Sequence, residues 1–389
     1  MKQGAAEAPS GSPLVTLFLC GDLMTGRGID QVLPHPSAPA IHEPYVRRAT
    51  RYVELAEAVN GPIPKPVDFS YIWGDALEEL ERVAPDVRIV NLETAVTRSD
   101  DYWKGKGINY RMHPANVPCL TAAKIDCCAL ANNHVLDWGT TGLAETLETL
   151  RRAKLKTAGA GRGRQEAEAP AILEVPSKGR VIVFSIGSVT SGIPPEWAAA
   201  EDRPGVALLA DLSEETAGRI AARVAAVKQP GDLVVASIHW GSNWGYRIPP
   251  GQQRFARRLI DEAGVDVLHG HSSHHPRGIE VYRDRPILYG CGDFLNDYEG
   301  IGGYEQFRGD LALAYFVSLE PQTGRLARLA MTPFQIRRFR AHRASRDDAG
   351  WLRDTLSREG RALGTGVELQ AETSLTLRWR REHPVAARG

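Results

Sequence analysis

Five short apolar runs in this sequence each stop at a residue able to hold a metal ion or a proton. Residues 14–20 run into Gly21-Asp22, and 87–92 into Glu93. Residues 125–131 run into Asn132-Asn133-His134, and 233–238 into His239-Trp240-Gly241. Residues 265–268 run into His269-Gly270-His271-Ser272-Ser273-His274-His275. Apolar runs this short, bounded by glycine and polar residues, are buried strands. Between them lie stretches with helical spacing, at 47–59, 75–83, 141–153, 214–227 and 252–263. In 141–153 the buried stripe is Leu143, Leu147 and Leu150. Further strands are expected at 181–186, 287–289 and 311–319. The alternation predicts a layered α/β domain with some antiparallel pairing late in the chain. Ligands of open α/β sheets sit outside the carboxyl ends of the strands. Five such ends bring Asp, Glu, Asn and His toward one point.

The domain is expected to span residues 14–340, after a flexible start at 1–13 and before a C-terminal helix and tail at 341–389 that pack on it. Residues 33–44 and 160–170 read as insertions or linkers, the second exposed. The 47 basic and 47 acidic side chains cancel, which argues against broad binding to nucleic acid or an anionic membrane. The first residues lack the apolar centre of a signal peptide, and no apolar run approaches the roughly 20 residues that span a bilayer. The five cysteines, Cys20, Cys119, Cys127, Cys128 and Cys291, lie mostly in strand-like runs and read as buried reduced thiols. A cytoplasmic protein is the expectation. The sequence calls for no organic cofactor and leaves the oligomeric state open.

Carboxylates and amide oxygens are hard donors, and imidazole accepts a wider range of divalent ions. A lone Asp or Asn after a strand is usually a turn or a cap, and a lone buried His is usually just hydrogen-bonded. Four imidazoles in seven residues, spaced by Gly and Ser, make a poor core and a good ligand loop. Around them lie residues suited to substrate. Trp240, Trp244 and Tyr246 are either core packing or the wall of a pocket for an apolar group, with Arg247 beside them. Arg111 is suited to clamp a carboxylate. Residues 104–107, Lys-Gly-Lys-Gly, read as a mobile solvated loop. Asp293 follows a strand and can approach the imidazoles, with Asp297 and Glu299 on the same loop.

Several of these runs resemble the motifs of a known family. They are Gly21-Asp22-Leu23-Met24-Thr25-Gly26-Arg27, Asn91-Leu92-Glu93, Ala131-Asn132-Asn133-His134, His239-Trp240-Gly241 and Gly270-His271 through His274. In this order they are similar to motifs of the bacterial capsule-synthesis CapA family. That family is named for poly-γ-glutamate synthesis and belongs to the calcineurin-like metallophosphoesterase superfamily. The resemblance covers about residues 14–319. It implies a two-sheet α/β sandwich flanked by helices, with metal at the strand ends. Carried over by motif, Asp22 is the first ligand, Glu93 the bridging carboxylate and Asn133 the amide ligand. His239, His271 and His274 supply imidazoles, and His134 takes the acid/base position. Two departures matter. Met24 stands where the superfamily has histidine, and His271 and His274 are separated by two residues where one is usual. The expected cofactor is therefore one or two divalent ions, Ca²⁺, Mg²⁺ or Mn²⁺.

The chain also resembles CapA-like proteins of ribosomal peptide pathways, among them a lasso-peptide epimerase. This implies a metal-dependent epimerase that inverts a Cα in a precursor peptide. His134 and His274 would carry protons, and Asp137 and Asp293 would orient them. The alternatives are hydrolysis of a phosphoester or amide bond, a role in poly-γ-glutamate capsule synthesis, and a noncatalytic accessory role. The partner is a peptide or polyglutamate substrate.

Overall fold

The computed structural model of the chain describes residues 13–380. In chain order its main strands begin with β1 (Val15–Leu23), β2 (Val87–Leu92), β3 (Cys127–Ala129) and β4 (Lys156–Ala158). They continue with β5 (Ala171–Val175), β6 (Gly179–Ser188), β7 (Leu208–Leu209), β8 (Leu233–His239) and β9 (Val267–His271). Next come β10 (Ile279–Tyr282), β11 (Arg285–Leu288), β12 (Asp293–Leu295) and β13 (Leu311–Leu319). The last are β14 (Leu326–Arg337), β15 (Arg340–Arg343), β16 (Thr365–Leu369) and β17 (Leu375–Trp379). The longer helices are α1 (Thr50–Asn60), α2 (Asp75–Val83), α3 (Gly139–Arg152), α4 (Glu214–Ala225), α5 (Pro250–Ala263) and α6 (Arg346–Gly360).

The strands form two large sheets. One has ten strands in the order β16-β17-β14-β13-β1-β2-β3-β4, with β12 beside β1 and β15 on β14. The other has seven, β7-β6-β8-β9-β11-β10, with β5 on β6. β1 to β4 run parallel, as do β6, β8, β9 and β11. β13 is antiparallel to β1, and β14 to β13, the late antiparallel pairing that the sequence implies.

Strand side chains alternate between faces with a period of two, and this alternation sorts the core. Leu17, Leu19, Val87 and Ile89 of the first sheet meet Val181, Val183, Val235 and Val267 of the second in one inner core. Phe18, Cys20, Val90 and Cys128 face outward and pack with α1, α2 and α3. Ile182, Val234, Ala236, Ile238 and Leu268 face outward from the second sheet onto α4 and α5. This is the two-sheet sandwich flanked by helices that the resemblance implies. Leu352 and Leu356 of α6 join the inner core.

All five cysteines are buried and free. Residues 160–170 are not a linker, though Arg162, Arg164, Gln165, Glu166 and Ala169 are exposed as expected. Ala160–Gly161 pairs with Gly205–Val206, and the helical turn Arg164–Glu168 buries Ala167. Small apolar residues hidden among charges carry that segment into the structure. Among the described residues, no helix is long and apolar enough to cross a membrane. Residues 1–12, nearly all of the expected flexible start, and the tail 381–389 lie outside the described residues.

Candidate active site

Parallel strands in both sheets end on the same side, so their polar termini face one another. The same period of two aims them. In β8, Val235, Ser237 and His239 point inward. In β9 the inward residues are Val267, His269 and His271, and His239 lies in register with His271. The second sheet thus presents paired imidazoles, their Nδ1 atoms 2.7 Å apart. The first sheet presents carboxylates and amides. A bulge in β1 between Leu19 and Asp22 re-aims Asp22, as bulges near active sites do. Only glycine fits at position 21, since a Cβ there would lie 1.6 Å from the Gly292 carbonyl. Asp22 is held by Asn91 Nδ2 at 2.7 Å and by the Ser272 N–H at 3.1 Å. Ser272 adopts φ 95°, the kind of backbone strain that gathers at functional sites.

The two sets of donors converge. Asp22 Oδ1 lies 3.9 Å from Nδ1 of both His239 and His271. His239 Nε2 lies 2.8 Å from Asn133 Oδ1 and 3.8 Å from Glu93 Oε1. Two trios of ligand atoms each fall within 4.8 Å of one another, Asp22-His239-His271 and Asp22-His274-Asp293, all buried. Asp293 pairs in register with Asp22. All six residues expected as ligands from the motifs are therefore in one cluster, and Asp293 belongs with them. Met24 is fully buried beside them and accepts from the Tyr298 hydroxyl at 3.5 Å.

The electrostatics are those of a site short of positive charge. Burial, with Asp293 close by, lifts the Asp22 carboxyl to about 7. Burial and the adjacent Asp22 raise Glu93 well above the usual carboxylate range. Glu93 Oε2 is buried with no hydrogen-bond partner among the described residues. Burial holds His239 and His271 well below the ordinary imidazole value, so both rings are neutral, and one donates its Nδ1–H to the Nδ1 of the other. Carboxylate oxygens and neutral imidazoles converging where nearby positive charge does not offset burial suit a divalent cation.

Two His–Asp pairs flank the cluster. His134 Nδ1 faces Asp137 Oδ2 at 2.5 Å, and its Nε2 lies 3.7 Å from Glu93 Oε1. Burial lowers His134 to about 4, against the pull of Asp137 and helped by the Lys106 charge. His274 Nδ1 faces Asp293 Oδ1 at 2.8 Å. Burial would lower His274, but Asp293 and Asp22 outweigh it and raise it. The sequence keeps His134 in place through Asn132, whose side chain accepts from the N–H groups of His134 and Val135 at 3.1 Å each.

The substrate-side expectations divide. Trp244 stacks on Tyr304 at 4.2 Å and lies 5.4 Å from the His274 ring. Tyr246 stands edge-on to His275 at 4.6 Å, and Arg247 is exposed on the same loop. Trp240 is not a pocket wall. It packs with Ile238, Phe255 and Leu259 and donates to the Tyr289 carbonyl, because the alternation that turns His239 inward turns Trp240 out. Arg111 does not face the cluster. It bonds the Ser99 carbonyl and Asp100 and lies 3.9 Å over Trp138.

Two residues that matter here escaped the sequence reading. Lys106, expected on a solvated loop, bonds Asp137 Oδ1 at 2.5 Å. Arg27 is buried with its guanidinium on Asp297 and Glu43 and over the Tyr110 ring, which packs on His134. Its place at the end of the first motif was the available signal.

Comparison with known proteins decides the family. The model of the family described as bacterial capsule synthesis protein PGA_cap matches residues 16–298. The chain belongs to this family. A Mycobacterium tuberculosis member, named a probable polyglutamine synthesis accessory protein, is 50% identical over 370 residues, which is 95% of this chain and 97% of that one. The Bacillus subtilis member, named PGA biosynthesis protein CapA, is 27% identical over 341 residues, covering 86% of this chain and 76% of its own. The Bacillus anthracis member, named capsule biosynthesis protein CapA, is 23% identical over 288 residues, covering 73% and 60%. The PGA_cap match takes in every strand end that supplies the cluster.

Proposed function

We propose that this chain is a metal-dependent enzyme performing acid–base chemistry on a peptide-like chain, of the kind handled in polyglutamate capsule synthesis. The observation that carries the reading is the meeting of Asp22, Glu93, Asn133, His239 and His271 between two separate His–Asp pairs. Paired, oriented imidazoles are the usual means of moving protons near neutral pH. The names of the CapA relatives support a polyglutamate-type substrate.

Asp22, Glu93, Asn133, His239 and His271 would hold the ion, with His274 and Asp293 beside it. The unpartnered Glu93 Oε2 and the raised Asp22 and Glu93 fit that role. A bound divalent ion would polarise an amide carbonyl or lower the pKa of a water. Asp137 keeps the proton of His134 on Nδ1, so Nε2 is free to accept one. Trp244 and Tyr304 offer a flat apolar face beside His274.

A second reading is favoured by there being two proton carriers with different partners. One can take the Cα proton and the other return it on the opposite face. That is epimerisation, here of a residue in a ribosomally made lasso-type precursor peptide. The experiment is mass spectrometry in D₂O with Mn²⁺, using poly-γ-glutamate oligomers and the short peptide encoded beside the gene. Cleavage products support hydrolysis. Deuterium gain without cleavage supports epimerisation. Neither result on either substrate overturns the enzyme reading.

A further inference from the structure

One lysine enters the site from a loop otherwise turned to solvent. Residues 104, 105, 107 and 108 are exposed, while the Lys106 side chain retains 13% exposure. The loop is pinned to Asp137 on both sides of it. Trp103 N donates to the Asp137 carbonyl at 2.7 Å, and Tyr110 N to Asp137 Oδ2 at 2.6 Å. The Lys106 ammonium lies 5.1 Å over the Trp197 ring. It donates to Asp137 Oδ1 and to the Asn133 carbonyl. It therefore ties together the two ends of the turn that carries Asn133 and His134.

The bonding around Asp137 fixes a tautomer. Its Oδ2 accepts from Tyr110 N and faces His134 Nδ1 at 2.5 Å. A carboxylate in that position requires a proton on Nδ1. With the proton on Nδ1, both that atom and the Lys106 ammonium are donors, so their 3.2 Å approach is not a hydrogen bond. Both groups donate to Asp137 instead, and the Nε2 lone pair is left facing Glu93.

We propose that Lys106 is a positioning residue of this site, fixing the Asn133 amide and the His134 tautomer through the Asn133 carbonyl and Asp137. The purpose that the tautomer serves rests on the proposed function; the geometry does not. Without the ammonium, the fully buried Oδ1 loses its donor. The carboxylate is then held through Oδ2 alone and is free to trade its oxygens, so Nδ1 loses its fixed acceptor. An ion pair that only stabilised the loop would leave the imidazole unchanged.

The test uses chelator-treated full-length protein and long-range ¹H–¹⁵N spectra of the histidine rings, with His134 assigned by His134→Gln. Wild type is expected to show His134 as the Nδ1–H form. Lys106→Ala is expected to show mixed tautomers. Lys106→Met keeps an unbranched apolar side chain, removes the charge and its donors, and serves where the alanine variant does not fold. Aminoethylation of Lys106→Cys restores the amine and is expected to restore the wild-type signals. The five native cysteines are buried from the reagent. Folded Lys106→Met with wild-type His134 signals overturns the proposal. Mn²⁺ affinity, read by electron paramagnetic resonance, is expected to fall about 10–100-fold in the same variant, the scale for a residue supporting a ligand. A wild type that binds no Mn²⁺ sinks the metal reading separately, and the tautomer result still decides the role of Lys106.

Discussion

The strand-end cluster and the Glu79 site on α2 both bury carboxylates, and they treat the charge in opposite ways. Glu79 accepts from Arg82, Arg343 and Thr332, with both oxygens occupied. Burial would raise it, but those donors outweigh burial and hold it at about 2. In the cluster Asp22 and Glu93 lie against each other, Asp293 and the neutral His239 and His271, and the charges of His274 and Lys106 do not offset burial. Both carboxyls are raised, and one Glu93 oxygen has no partner. The contrast shows that a buried acid is not in itself a functional sign. A buried acid without its counter-charge is one, because leaving it so is costly unless something else binds there.

The largest effect expected from this contrast is on rate. His134→Ala is expected to lower turnover by more than about 10²-fold, the scale for loss of a general acid or base. Glu79→Ala is expected to leave turnover per folded molecule unchanged. Assays on the cognate substrate, with folded protein quantified by circular dichroism, check both. Normal turnover in folded His134→Ala breaks the comparison at its functional end.

Next in size is the response to metal. If the cluster lacks a cation, Mn²⁺ at 100 times its dissociation constant stabilises the fold by about 2.7 kcal/mol. Thermal melts with Mn²⁺ and with chelator measure this. Asp22→Asn is expected to remove the difference, and Glu79→Ala to keep it. Equal melting of wild type in both buffers would mean that the cluster holds no ion.

Much of this was legible in the sequence, and what was not has separate physical causes. The strand ends were readable because apolar runs breaking into polar residues mark both the strand and its functional tip. His239 and His271 follow from that. Trp240, open in the sequence between core and pocket wall, goes to the core because the period of two puts neighbours on opposite faces. Lys106 was invisible for another reason. Its partners Asp137 and Asn133 lie 27–31 positions away along the chain, and nothing local in Lys-Gly-Lys-Gly tells the inward lysine from the outward one. The bulge that aims Asp22 is likewise a property of pairing between β1 and β2 and not of either strand alone.

The Glu79 site carries the pH prediction. A carboxyl held low in the folded state contributes stability that is fully present above its unfolded value, near 4.5. That contribution is lost as pH falls toward the folded value of about 2. Glu79→Ala is expected to cost about 2 kcal/mol at pH 7. This is below the ~3–5 kcal/mol of breaking a fully buried pair, because the Arg82 side chain is largely exposed and screened. The cost is expected to shrink between pH 4.5 and pH 2. Urea titrations across that range check it, and a cost independent of pH would remove the assigned role of the Glu79 charge.

The smallest effect is the sharpest test of the contrast. Glu93→Gln keeps the shape of the side chain and removes a carboxyl that lies against Asp22 and resists ionisation. In metal-free protein ionising that carboxyl is costly, since it is buried beside another acid. Replacing it with a neutral amide is therefore expected to leave stability unchanged or raise it by about 1 kcal/mol, since no satisfied ion pair is lost. Glu79→Gln, the same chemical change, is expected to destabilise, because it strips a satisfied carboxylate from Arg82 and Arg343. Added Mn²⁺ should then favour wild type over Glu93→Gln, since only the carboxylate repays the ion. Urea titrations of both variants in chelator and in Mn²⁺ give four comparisons. If Glu93→Gln destabilises the metal-free protein as much as Glu79→Gln does, the cluster is an ordinary buried polar network. If it does so only in Mn²⁺, the fold tolerates strain there for the sake of the ion, which is the trade of stability for function seen at active sites.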